Sequence, residues 1–180
     1  MSELVRLFIS IALFRKGPQD VPYSVFLLAV LIAATFTIDL LTYLLPSSRE
    51  EPLEVSIIIR YLLAVNIASF LMVYLIFFVH RHQNRFVQSI TTMYGIDLMI
   101  SILSIPVHLL LIFASNYEIS GLAIIGILFI MFLIFWNLTV YMHIFRFGLG
   151  ISFLHAGMLS LVLFVLSISI SNLLIPAGTT

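Results

Sequence analysis

The feature that most constrains this chain is a series of five near-continuous apolar runs, each long enough to cross a bilayer as a helix. A helix rises about 1.5 Å per residue, so roughly 20 apolar residues traverse a hydrocarbon core of about 30 Å. The runs cover about Tyr23 to Leu45, Ser56 to Val79, Val87 to Ala114, Ser120 to Phe145 and Ile151 to Ile175. The first and last stop at Pro46 and Pro176, where a helix loses a backbone donor. Because the runs are continuous rather than alternating, they indicate helices and not barrel strands. Composition closes off the soluble alternative. Hydrophobic residues make up 62% of the 180 residues and charged ones 9%, against about 45–50% and about 25% in soluble domains.

The expected architecture is all-α and polytopic: an interfacial amphipathic helix and turn over residues 1–22, then a five-helix transmembrane bundle over residues 23–180. Loop charge orients it. With five spans, Arg6, Arg15, Lys16, Arg81, Arg85 and Arg146 fall on one side, leaving Arg49 and Arg60 of the eight Lys/Arg residues on the other. The positive-inside rule makes the first side cytoplasmic, so the N-terminus is expected inside and the C-terminus on the far face. Glu50, Glu51, Glu54 and Glu118 share the far face but barely count in that rule.

A cleavable signal peptide fits poorly, because Glu3 precedes Arg6 and the short apolar run Leu7 to Phe14 leads into Arg15 and Lys16. Residues Ser2 to Phe14 are too few to span. Glu3, Arg6 and Ser10 form one polar stripe among apolar residues, which suits a helix lying in the cytoplasmic interface. Gly17, Pro18 and Pro22 then enforce a turn. Short loops lead one to expect consecutive spans as antiparallel neighbours. No internal repeat and no soluble domain is evident, so any catalysis belongs at or within the membrane. The formal net charge of zero gives no nucleic-acid partner. The lack of cysteine excludes disulfides, thiol catalysis and Cys-based metal centres.

Charged groups inside a bilayer cost about 2.5–3.5 kcal/mol each on insertion scales and mark functional candidates. Three qualify: Asp39, Arg60 and Asp97. Asp39 and Arg60 lie at similar depth, so they could form an ion pair locking the first two spans, or a substrate-binding pair. In the third span Asp97, Ser101, Ser104 and His108 recur at i, i+4, i+7 and i+11, one face of a helix, with Pro106 inside the stripe. The stripe reads either as a water path with proton-handling groups or as interhelical glue. Tyr94, Asp97, Asn137, Tyr141, His143, Arg146 and His155 share the cytoplasmic half. If they converge they form a cytoplasm-facing polar pocket, with Asp97 beside His143 or Arg146. His80 and His82 flank Arg81 in a loop and are too few for a metal site; His143 with His155 is a pair at matching depth for haem, but histidines on apolar helices are more often structural. No metal and no cofactor is expected. Phosphate-loop, zinc-protease and hydrolase motifs are missing, Gly95 to Met99 is no small-residue dimer motif, and Gly148 and Gly150 read as connectors.

The stretch Arg15 to Pro22 before the first span, together with Trp136-Asn137-Leu138 followed by His143 and Arg146, resembles a small family of proteobacterial five-span inner-membrane proteins. The overall plan is loosely similar to the Yip1-type five-span membrane proteins. The resemblance implies a multi-pass protein of the bacterial inner membrane, C-terminus periplasmic, that binds or organises rather than catalyses. The leading expectation is therefore a non-enzymatic accessory or scaffold subunit, partnered by the lipid bilayer and by other membrane proteins or itself. A small transporter or channel with a polar path along the third span is the alternative, and a lipid-modifying enzyme the third.

Overall fold

A computed structural model of the protein describes residues 2–45 and 54–175. Pro46, Pro176, Arg49, Glu50 and Glu51 lie outside the described residues. Among the described residues there is no strand; the chain forms α1 (Ser2–Ala12), α2 (Val25–Tyr43), α3 (Val55–Val79), α4 (Phe86–Asn116), α5 (Ser120–Leu149) and α6 (Phe153–Leu174). Helices α2 to α6 are each long and apolar enough to cross a membrane, which makes this a multi-pass membrane protein.

Local chemistry sets the helix ends. Ser24 caps α2 by accepting the Leu27 N–H at 3.1 Å, and Ser152 caps α6 through the His155 N–H at 3.4 Å. Gly150 ends α5 in the left-handed conformation at φ 66°, which glycine adopts without strain. Helix α4 continues through Pro106, so the Ile102 carbonyl loses its usual helical donor. Gly148 is not a connector. It lies inside α5, and a Cβ there would stand 2.8 Å from Ser89 Oγ and 3.0 Å from the Phe77 ring.

The five long helices close a ring in the order α2, α4, α5, α6, α3. The expectation that sequence neighbours pair holds for α4 with α5 and for α5 with α6, and fails for α2 with α3 and for α3 with α4. Helix α2 packs chiefly on α4, while α3 meets α2 and α4 thinly and leans on α6. The α2–α4 pair is parallel, as its cross-links advance together: Gln88 to the Val21 carbonyl, Thr35 to the Tyr94 carbonyl and Ser101 to Asp39. Helices α4 and α5 are antiparallel, with Ser89 by Gly148 and Leu111 by Gly126.

The end that carries α1 and the α3–α4 and α5–α6 turns, here the near end, is densely packed. Phe77, Phe145, Ile144 and Val140 are fully buried. Phe86 makes edge-to-face contacts with Phe70 and Tyr74, each at 5.3 Å between centroids. In lipid, helices gain little from hydrophobic burial and associate through close packing and hydrogen bonds, so these notches and ring contacts hold the near end together. Helix α1 belongs to this assembly. It buries Phe8, Ile11 and Ala12, and the Phe8 ring fills the space above Gly95. The Trp136 indole donates to the Ala12 carbonyl at 3.0 Å. Val5, Ile9 and Leu13 stay exposed on another face.

Candidate functional site

A carboxylate on a membrane helix must find donors or water, since hydrocarbon offers neither. Asp97 finds two donors on α5. The Tyr141 hydroxyl donates to Oδ2 at 2.6 Å and the Asn137 amide to Oδ1 at 3.0 Å. Asn137 and Tyr141 are four residues apart, so one helix face presents both to α4. The 2.6 Å contact lies in the range of charge-assisted O–H···O bonds. Asp39 on α2 accepts the Ser101 hydroxyl, also at 2.6 Å. One turn separates Ser101 from Asp97 on α4, so the same stretch of α4 is joined to α5 through Asp97 and to α2 through Ser101.

These groups line a cavity of about 370 Å³ to which all five long helices contribute. Helix α2 supplies Thr35 and Asp39, α3 Asn66 and Ser69, α6 Ser160 and Ser167. The face of α4 supplies Tyr94, Asp97, Ser101, Ser104 and His108, and α5 Asn137 and Tyr141. The cavity lies about halfway along the helices. No Lys or Arg is among its lining residues. His108 Nδ1 meets the Ser104 carbonyl at 2.8 Å. A carbonyl only accepts, so Nδ1 carries the proton, and Nε2 of a neutral ring keeps a free lone pair. Several other hydroxyls, including Ser104, bond back to their own helix.

Six of the sequence candidates therefore converge on the cavity: Tyr94, Asp97, Ser101, His108, Asn137 and Tyr141. Three do not. His143 lies two residues past Tyr141, about 200° around the helix, and its Nε2 donates to the Lys16 carbonyl at 2.9 Å. Arg146 is exposed, with its guanidinium 5.8 Å from the Phe147 ring centroid. His155 is exposed and bonds Ser152 at 2.7 Å. Asp97 thus sits beside an amide and a phenol, not beside His143 or Arg146. The pocket does not face the near end either, because Phe77, Ile144 and Phe145 fill it there.

The Asp39–Arg60 pair is also absent. Asp39 is held by Ser101, and the exposed Arg60 guanidinium turns back to its own helix, reaching the Ser56 carbonyl at 3.1 Å and the Ser56 hydroxyl at 3.2 Å. An arginine one turn from a helix end reaches toward polar surroundings at lower cost than across the bundle. Sequence reading missed Thr35, Asn66, Ser69, Ser160 and Ser167. The signal was present: Thr35 with Asp39, Asn66 with Ser69, and Ser160 with Ser167 each share a helix face by spacing.

No protein-family model, curated protein or solved structure matches this chain.

Proposed function

We propose that the protein binds a small cationic or protonated solute in the mid-bundle cavity and carries it across the membrane. One observation carries this reading: a cavity lined by all five spans holds two carboxylates, Asp39 and Asp97, and no Lys or Arg. Two negative charges without a Lys or Arg beside them in the membrane interior are costly, so the ground state takes up protons or a cation. A solute that competes with those protons can then be exchanged for them. Tyr141, Asn137 and Ser101 orient the carboxylates, leaving other lone pairs for the solute. On the positive-inside reading the packed near end is cytoplasmic. Five spans cannot be divided into inverted halves, so alternating access by repeat exchange calls for two copies.

The test is flux into proteoliposomes containing an entrapped pH dye, driven by outward proton gradients against a panel of monovalent cations and small amines. At least one compound should dissipate the gradient, and Asp97→Asn should slow that rate about 100-fold, a loss of about 2.7 kcal/mol. Asp39→Asn should slow it less. If the whole panel moves no faster than in protein-free liposomes, or if both Asn variants match the native rate, the transport reading fails. The organising-subunit reading suggested by the family resemblance then takes its place.

A further inference from the structure

Outside the cavity, four charged side chains gather where α1 faces the turn that follows it. Glu3, Arg6, Lys16 and Asp20 line one groove of about 540 Å³, with Ser10, Leu4, Leu7 and Pro22. Lys16 and Asp20 are brought opposite α1 by the turn, which closes on itself as the Gly17 N–H donates to Asp20 Oδ2 at 2.9 Å. The turn is then fixed to the bundle by Gln88 to the Val21 carbonyl at 2.9 Å and by His143 to the Lys16 carbonyl. A groove held by four elements is preformed. Yet the charges inside it are not spent on one another: among the described residues neither Arg6 nor Lys16 pairs with a carboxylate. Two cations and two anions stand in one groove, free to meet a ligand that carries both signs.

The neighbouring surface says what that ligand carries besides charge. Val5 and Ile9 on α1 and Leu13 just past its end recur every four residues and are 54%, 41% and 48% exposed. On a helix docked against a transmembrane bundle, such a face meets acyl chains. The polar stripe beside it then sits at headgroup level.

We propose that this groove is a binding site for one phospholipid headgroup bearing a phosphate and a primary ammonium, with Arg6 and Lys16 on the phosphate and Glu3 and Asp20 on the ammonium. A purely anionic headgroup would satisfy the cations and be repelled by the carboxylates. A quaternary ammonium would lack the N–H donors those carboxylates accept. Free phosphate would gain nothing from the apolar face. The site stands independently of the cavity, and neither reading requires the other.

Native mass spectrometry of the full-length protein tests this. The detergent-purified chain is mixed with equal amounts of phosphatidylethanolamine, phosphatidylglycerol and phosphatidylcholine of identical acyl chains. Retained phosphatidylethanolamine should exceed each of the others about tenfold, the scale of one charge-assisted contact set. Arg6→Gln with Lys16→Gln should remove that retention. Glu3→Gln with Asp20→Asn should transfer the preference to phosphatidylglycerol. The amide introduced by Asp20→Asn still offers an oxygen to the Gly17 N–H, and thermal melting monitors each variant. If the double variant does not fold, Glu3→Gln alone carries the test, because the Glu3 side chain makes no hydrogen bond among the described residues. Equal retention of the three lipids, a native preference for phosphatidylglycerol, or full retention by the Arg6/Lys16 variant overturns the proposal.

Discussion

The near end of the bundle and its middle are built from the same five helices, yet they solve different problems. At the near end Phe77, Phe86 and Phe145 interlock, and Gly95 and Gly148 remove side chains where a ring or a second helix must approach. In the middle the same helices part around a 370 Å³ space lined with hydroxyls, amides and two carboxylates. The tight end lets the open part exist. Lipid gives helices little reason to associate except packing and hydrogen bonding, so a bundle with an interior void must be held elsewhere. The near end, with α1 strapped across α4 and α5, provides that.

Four substitutions would break or sharpen this comparison. The largest effect should come from the middle: Asp97→Ala removes the acceptor of both Tyr141 and Asn137, and solute affinity should fall about 100-fold or more by ligand titration. At the near end, Gly148→Leu drives a side chain into Ser89 and Phe77, and overpacking of this kind should lower unfolding free energy by about 2 kcal/mol in a detergent denaturation series. A smaller loss, about 1 kcal/mol, should follow Trp136→Phe, which keeps a ring but deletes the bond to the Ala12 carbonyl; protease cleavage after Arg15 would report loosening of α1. The smallest effect should come from Ser69→Leu, which places added bulk in open space. Stability should then stay within about 0.5 kcal/mol of native while solute binding drops. If Ser69→Leu destabilised as much as Gly148→Leu, the contrast between a packed end and a hollow middle would be wrong.

Parts of the site were legible because they follow helical periodicity within one span. The stripe Asp97, Ser101, Ser104 and His108 does line one wall, and Asn137 and Tyr141 belong to the same cavity. His143, Arg146 and His155 misled because similar depth in a membrane says nothing about which way a helix is turned. Arg60 misled for a related reason: depth permitted a pair with Asp39, but Ser101 on α4 was nearer to hand. Gly148 was unreadable for what it is, since a glycine near a helix end reads as a connector until the ring of Phe77 is seen against it.

By itself the sequence determined the helical class, the five spans and the short N-terminal helix, because length, apolar continuity and polar stripes are properties of one segment in one solvent. The tertiary structure alone decided that α2 pairs with α4, that α1 docks on the bundle, and that the polar faces of five helices line one cavity. Those outcomes depend on the rotation of each helix about its axis and on the order of helices in the ring. Both are set by contacts between segments far apart in the chain, and no single segment encodes them.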